Sequence, residues 1–357
     1  MEREVYITIL DKQSMKALVW QGPREMTVED APVAAVQADE VMIRVAYCGI
    51  CGSELSGYLG HNALRIPPLI MGHEFSGEIV ALGARAQADN PELEVGAKVT
   101  ADPMVFDGTC RYCEQGLNHL CTNRSLVGAH RPGAFAEYVT IPSRMVFVLP
   151  PAMDLRTGAL SEPTACGVRI AELAGRVEGS SALIVGAGAI GLLALQVLKH
   201  RGAAPVYVSD TNTQRLSQAA ELGGVALNPH EVSVVERVAE ATGGQGVAFA
   251  VDAVGLAVTR AQCISAVERG GKVLLSGLHE ETSAMPVADI IRKELTAQGT
   301  YCYTPRDFSE AIRLLDQGVV TLGSWVVEAP LSDGQDWFER LVGDLGQVAK
   351  VLLTPGT

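Results

Sequence analysis

The sequence predicts an α/β protein in which a doubly wound parallel sheet is joined to a second, mostly β domain. Three observations carry this. From about Ser180 onward, short apolar strands, glycine turns and amphipathic helices follow one another in repetition, which is the sequence pattern of βαβ units. The first 150 or so residues instead alternate apolar and polar side chains between Gly and Pro punctuation, with little helical period. Finally, 357 residues leave room for two domains at roughly 150 residues each.

Taken in chain order, the first fourteen residues read as an extension ahead of a strand opening at Met15-Lys16-Ala17-Leu18-Val19. Val41 to Ala46 and Glu78 to Leu82 are strands of the β-rich part. The parallel sheet then begins with Ala182 to Val185, followed by a helix over Ile190 to His200, a strand over Val206 to Ser209 and a helix over Gln214 to Leu222. Val247 to Val251, Val258 to Val267 and Lys272 to Ser276 continue the same alternation. A helix starts at Pro305 with Phe308, Ile312 and Leu315 on one face, and a short strand, Val348 to Leu353, closes the chain.

Charge and composition exclude several classes of function. Twenty-eight Lys and Arg against 41 Asp and Glu leave a net charge of −13, so a nucleic-acid backbone or an anionic membrane surface is repelled on average. The uncharged run Gly179 to Leu198 has the length of a membrane span, but Gly186, Gly188 and Gly191 sit at its centre and mark a strand, turn and helix. No charged segment followed by an apolar one opens the chain, as a secretory signal would. Five of the eight cysteines fall in two tight clusters, Cys48 with Cys51 and Cys110, Cys113 with Cys121. Clustered thiols in an acidic chain of this size read as metal ligands in a cytoplasmic protein rather than as a disulfide framework.

Gly186-Ala187-Gly188-Ala189-Ile190-Gly191 follows an apolar strand and opens a helix, the context of a dinucleotide-binding (Rossmann) turn. Gly186 permits the turn, Gly188 lets a pyrophosphate approach the backbone, and Gly191 lets helix pack on strand. Asp210, nineteen residues past Gly191 at the end of the next strand, is placed to accept both ribose hydroxyls of NAD and to repel the 2′-phosphate of NADP. Packing glycines with Asp210 as a helix cap are the plainer reading of the same residues. Arg215 either flanks the adenosine ribose or is a solvated helix arginine.

Cys48-Gly49-Ile50-Cys51-Gly52-Ser53-Glu54, then Gly72-His73-Glu74, then Ser161-Glu162-Pro163 bring together residue types suited to a zinc site with an open position: a thiolate, an imidazole and one or two carboxylates. A redox Cys48/Cys51 pair and a loop histidine at His73 are the competing readings of these residues.

Together with Gly133-Ala134-Phe135-Ala136-Glu137-Tyr138, these ordered segments make the chain resemble the zinc-containing medium-chain dehydrogenase/reductase family over nearly its whole length after residue 15. The resemblance implies that Cys51, not Cys48, binds the catalytic zinc, with His73 as second ligand and Glu74 as an adjacent or alternating one. Glu162 occupies a position that is cysteine in ethanol-oxidising members and glutamate in polyol and diol dehydrogenases. Ser53 stands where the family places a hydroxyl that passes the alcohol proton to the cofactor ribose; its plainer reading is a residue satisfying a turn. The histidine often found three residues later is Ser56 here, Glu54 replaces the usual aspartate beside the zinc histidine, and Thr300 stands where sorbitol dehydrogenases carry an arginine. Asp107, Cys110, Cys113 and Cys121 match the spacing of the family's structural zinc lobe, with Asp107 in place of its first cysteine; His119 is an alternative fourth ligand, and an empty lobe held by packing is the alternative to both. The resemblance also places Asp252 and Gly255 in a loop near the nicotinamide ribose and Gly277 in the next such loop, although each is also what a tight strand end uses.

The architecture so implied is a GroES-like zinc domain of residues 1–160 with 301–357, around a Rossmann domain of 161–300, with the active site in the cleft between them. The expected function is hydride transfer from a secondary alcohol, a polyol or vicinal diol, to NAD. A threonine-type amino-alcohol dehydrogenase and a phosphorylated-polyol dehydrogenase are the alternatives, and a relative that keeps the fold without the chemistry is disfavoured by the intact Cys51, His73, Glu162 and Ser53. The resemblance also implies a homotetramer, or failing that a homodimer.

Overall fold

A computed structural model of the chain describes residues 13–343, 346 and 348–356. Most of the expected N-terminal extension therefore lies outside the described residues. Contacts separate two compact units, one of Met1–Glu162, Val326–Leu345 and Lys350–Thr357, the other of Pro163–Trp325 and Gly346–Ala349.

The second unit is built on a six-stranded sheet in the spatial order Val225–Leu227, Val206–Ser209, Ala182–Val185, Val247–Asp252, Val267–Leu275, Thr296–Gly299. Every neighbouring pair in it is parallel. Counted along the unit this is 3-2-1-4-5-6, the doubly wound order. Register decides what the sheet presents: Val185 pairs with both Ser209 and Asp252, and Asp252 pairs with Leu275. The strand ends therefore form one row, and the turns that follow them, at Gly186, Asp210, Ala253 and Ser276, emerge together at its carboxyl edge. The uncharged run Gly179 to Leu198 resolves into the strand Ala182–Val185 and the helix Ala189–His200, whose residues Gly191 to Leu198 are all buried. Among the described residues no helix is long and apolar enough to cross a membrane.

Residues 301–325, placed by the sequence reading with the zinc domain, pack within this second unit. The segment buries Tyr303, Phe308, Leu314, Leu315 and Trp325, and two polar contacts tie it to the unit: Arg169 pairs with Asp307 at 3.7 Å, and Gln196 Oε1 accepts from the Thr321 amide at 2.8 Å. The chain rejoins the first unit only at Val326.

In the first unit the strand Glu40–Gly49 is central. It pairs antiparallel with Glu74–Leu82, Tyr138–Pro142 and Lys350–Thr354. Its buried positions run nearly unbroken, as expected of a strand covered on both faces. Lys350–Thr354 comes from the far end of the sequence, yet Leu352 and Leu353 lie opposite Gly49 and Cys48. An aromatic cluster closes the core beside it: Phe338 packs on Tyr58 and Phe135 with ring centroids 5.1 and 5.9 Å apart.

Candidate active site and metal centres

The pairing of Gly49 with Glu74 brings the chain after Cys48 next to the chain before Glu74. Cys51 then caps the short helix Gly52–Tyr58 in extended conformation, and Glu54 on that helix makes the site rigid. One of its carboxylate oxygens accepts from the Cys51 amide at 2.9 Å; the other accepts from the Gly72 amide and from His73 Nδ1, both at 2.8 Å. Glutamate thus makes the bond to the histidine that the resemblance assigns to a shorter aspartate. With Nδ1 held, Nε2 is the ring atom left to act as a ligand. Burial opposes charge on both partners, yet their mutual attraction prevails: it holds the Glu54 carboxyl below, and His73 well above, the ordinary range.

Donor atoms of Cys51, His73 and Glu74 all lie within 4.8 Å of one another. A thiolate, an imidazole and a carboxylate converging so closely form a donor set of the kind zinc takes. Glu162 is not one of the three. It is buried in the first turn of Ser161–Ala174, and its charge raises the pKa of both Asp102 and Lys350. Cys48 is fully buried, and desolvation, reinforced by the charges of Glu54 and Glu74, pushes its thiol well above the ordinary value. It lies outside the donor cluster. Ser53, half-buried, receives hydrogen bonds from Arg65.

A second cluster holds Asp107, Cys110, Cys113 and Cys121, with donor atoms again within 4.8 Å; His119 is not part of it. Asp107 takes the place of a cysteine without leaving its carboxylate loose. Oδ1 accepts from the Thr109 and Cys110 amides at 2.9 and 3.1 Å, and Oδ2 from Asn123 Nδ2 at 2.7 Å. Cys121 Sγ accepts from the Asp107 and Asn123 amides, both at 3.4 Å. Backbone amides aimed at these side chains hold the donor atoms in place.

In the second unit Gly186 has φ of +104°, and a Cβ on Gly191 would lie 1.9 Å from the Gly186 carbonyl oxygen, so neither position accepts a side chain. A Cβ on Gly188 would meet nothing within 4 Å, which leaves the space a pyrophosphate needs. Gly188 is also the N-cap of Ala189–His200 and supplies no side-chain cap, so the amides around Ala189 and Ile190 remain for an anion. Asp210 is partly exposed and tied to this turn, Oδ2 accepting from the Ala187 amide at 2.7 Å and Oδ1 from the Asn212 amide at 2.8 Å. Arg215 is half-buried, and one of its Nη atoms donates to the Val348 carbonyl at 3.4 Å.

Asp252 is wholly buried, and its Oδ1 caps the Val254 and Gly255 amides at 3.0 Å each while Arg260 Nε lies 3.7 Å from Oδ2. It holds its loop in place and has no surface to offer a cofactor. Gly277 is likewise a close-approach residue: its Cβ would lie 2.1 Å from the Val254 carbonyl carbon.

Sequence reasoning did not single out Lys350, Asp102 or Arg65. The only available signal for Lys350 was a lone lysine in an apolar strand. Buried lysines need a counterion, but the sequence does not say which.

Comparison with known proteins accords with this geometry. Residues 37–151 match the alcohol dehydrogenase GroES-like domain, and residues 189–317 match the zinc-binding dehydrogenase domain. A sorbitol dehydrogenase of Bacillus subtilis is 31% identical over 351 residues, spanning 96% of this chain and 98% of that protein. The crystal structure of 2R,3R-butanediol dehydrogenase from the same species superposes with a TM-score of 0.88 at 29% identity, covering 96% of this chain and 100% of that one. An alcohol dehydrogenase of Escherichia coli CFT073 solved with NADH gives 0.87 at 28% identity, over 96% and 100% of the two chains. The chain belongs to the zinc-containing medium-chain dehydrogenase/reductase family, in its polyol and diol branch. It is a zinc-dependent, NAD-dependent oxidoreductase of alcohols.

Proposed function

We propose that the chain oxidises a secondary alcohol group of a vicinal diol or polyol, with Cys51, His73 and Glu74 holding the catalytic zinc and Gly186 to Gly191 with Asp210 holding NAD. The observation that carries this reading is the convergence of the three donors within 4.8 Å, with His73 Nδ1 already fixed by Glu54. Zinc bound there supplies Lewis acidity that lowers the pKa of an alcohol hydroxyl, and NAD supplies the hydride acceptor.

The chain's own residues do the rest. Glu54 keeps His73 in the tautomer that presents Nε2. Ser53 Oγ takes the alcohol proton and passes it on. Gly188 admits the pyrophosphate, whose charge meets the helix amides, and Asp210 receives the ribose hydroxyls. Glu162 sets the negative potential of the site from outside the donor set. The choice of a diol or polyol is supported by a glutamate at position 162 and by relatives named for sorbitol and butanediol. Asp107, Cys110, Cys113 and Cys121 hold a second, structural zinc.

We assign the protein to the cytoplasm, where eight free thiols persist reduced, and to a homotetramer or homodimer. Val287 and Ile291, one turn apart on the helix Val287–Arg292, are 54% and 70% exposed, and Leu278 is 79% exposed; a partner subunit covers such a face. Light scattering on the purified protein checks the assembly.

The substrate is tested by following NADH formation by zinc-replete enzyme with polyols, vicinal diols, simple alcohols, L-threonine and polyol phosphates. The proposal expects a diol or polyol to give the highest kcat/KM. A preference for L-threonine or a phosphorylated polyol would replace it.

A further inference from the structure

Arg65 sits in the loop between the helix Gly52–Tyr58 and Gly72, and although it is an arginine it is only 4% exposed. Burying a guanidinium is costly unless its donors find acceptors. Among the described residues both of its side-chain hydrogen bonds end on one residue: Nη1 donates to the Ser53 carbonyl at 3.1 Å and Nη2 to Ser53 Oγ at 3.3 Å. Its Nε is buried without a partner. The side chain packs beside Gly57, where a Cβ would lie 2.5 Å from Arg65 Cδ and 3.5 Å from Met71 Sδ. A buried cation that spends its bonds on one serine, and leaves a third donor unmet, is poorly explained by packing alone.

We propose that Arg65 is a positioning residue for the proton transfer, clamping Ser53 so that its hydroxyl has a single productive orientation; this rests on the reading of Ser53 as the proton acceptor. The chemistry follows from the donor inventory. A serine oxygen has one hydrogen to donate and two lone pairs, and a guanidinium has only hydrogens to offer. With Nη2 filling one lone pair, the Ser53 hydrogen points away from Arg65, and one lone pair remains to accept the alcohol proton as the serine's own proton moves on. The second bond, to the Ser53 carbonyl, fixes the backbone from which Oγ projects. Lysine cannot span both acceptors, because its ammonium is a point charge on a flexible stem.

The experiment compares Arg65→Met, Arg65→Lys and Ser53→Ala in the zinc-replete enzyme. It reads kcat for the best diol or polyol, KM for NAD, the solvent deuterium isotope effect on kcat, and bound zinc per chain. Arg65→Met is expected to lower kcat by about tenfold to a hundredfold, on the scale of misplaced acid–base catalysis, with a larger solvent isotope effect, unchanged KM for NAD and full zinc. Arg65→Lys is expected to fall between Arg65→Met and the parent, and it serves alone if Arg65→Met fails to fold. The proposal is overturned if Ser53→Ala collapses kcat while the Arg65 variants keep it within about twofold, or if their loss of activity follows loss of zinc, which would place the effect of Arg65 in the charge by which, behind His73, it helps hold the Glu54 carboxyl low. Should Ser53→Ala itself leave kcat intact, the reading of Ser53 falls and the proposal with it.

Discussion

Lys350 Nζ lies 2.7 and 2.6 Å from the two carboxylate oxygens of Glu74, with the lysine and glutamate side chains 3% and 1% exposed. Its third donor meets the Ile50 carbonyl at 3.0 Å, so a buried ammonium is fully satisfied. Burial opposes its charge, but Glu74, with Cys51 and Glu162 behind it, holds the pKa above the ordinary lysine value. The pair spans 276 residues of sequence and ties the C-terminal strand to Glu74 in the cluster of converging donors.

Lys350→Met should therefore destabilise the protein by about 3–5 kcal/mol, the range for removing one partner of a buried ion pair. Lys350→Met combined with Glu74→Gln should recover most of that loss, since no uncompensated charge remains. Urea unfolding of the three proteins measures both values. If the double variant is no more stable than Lys350→Met, the ion pair is not what the single change disrupts.

Asp102 gives a pH signature. Burial pushes its carboxyl up to about 7 from an ordinary 3.8; the Glu162 charge adds to the rise, and the Met104 amide it accepts from opposes it. Because the folded value is raised, the unfolded chain gives up this proton first. The stability it confers is full below the unfolded pKa and is lost as pH rises through the folded one. Metal-free protein should thus lose thermal stability across that window, and Asp102→Asn should flatten the profile. Parallel profiles for the two proteins would contradict the assignment.

The cluster of Asp107, Cys110, Cys113 and Cys121 is expected to carry a reactive thiol. The Cys113 amide directed at Cys110 Sγ, followed by that of Thr122, lowers the Cys110 pKa to about 7; desolvation, with the hydrogen bond to Cys110, pushes Cys113 up to about 12. Thiolate character governs alkylation. After chelation, iodoacetamide at neutral pH should label Cys110 ahead of Cys113, and zinc should protect both. Mass spectrometry of the digested protein reads the order, and equal labelling with and without zinc would show that the lobe binds no metal.

What could be read from sequence follows the range of the interactions. The strands Ala182–Val185 and Val206–Ser209 have the expected bounds, because apolar strand, glycine turn and acid are all local signals. Cys51, His73 and Glu74 were visible as residue types, but their meeting depends on the Gly49–Glu74 register, which no local pattern specifies. Glu162 was grouped with them, and only the folded chain separates it from the three converging donors. Asp252 was singled out only by the resemblance, as a loop residue near the nicotinamide ribose; two amides of its own loop and Arg260 take up its carboxylate. Residues 301–325 pack with the second unit because Phe308, Leu314, Leu315 and Trp325 are buried, and an apolar helix face does not say in the sequence which unit it covers. Lys350 and Arg65 went unnoticed because the sequence does not name their partners either.

Cys51 and Cys48 stand three residues apart, and only Cys51 joins the converging donors. The most direct measurement is bound zinc per chain together with NADH formation for Cys51→Ser and Cys48→Ser. Cys51→Ser is expected to lose the catalytic zinc and turnover while keeping the lobe zinc, and Cys48→Ser, altering a buried neutral thiol, to retain both zinc and turnover. Full zinc and turnover in Cys51→Ser would contradict the proposal of Cys51 as a zinc ligand.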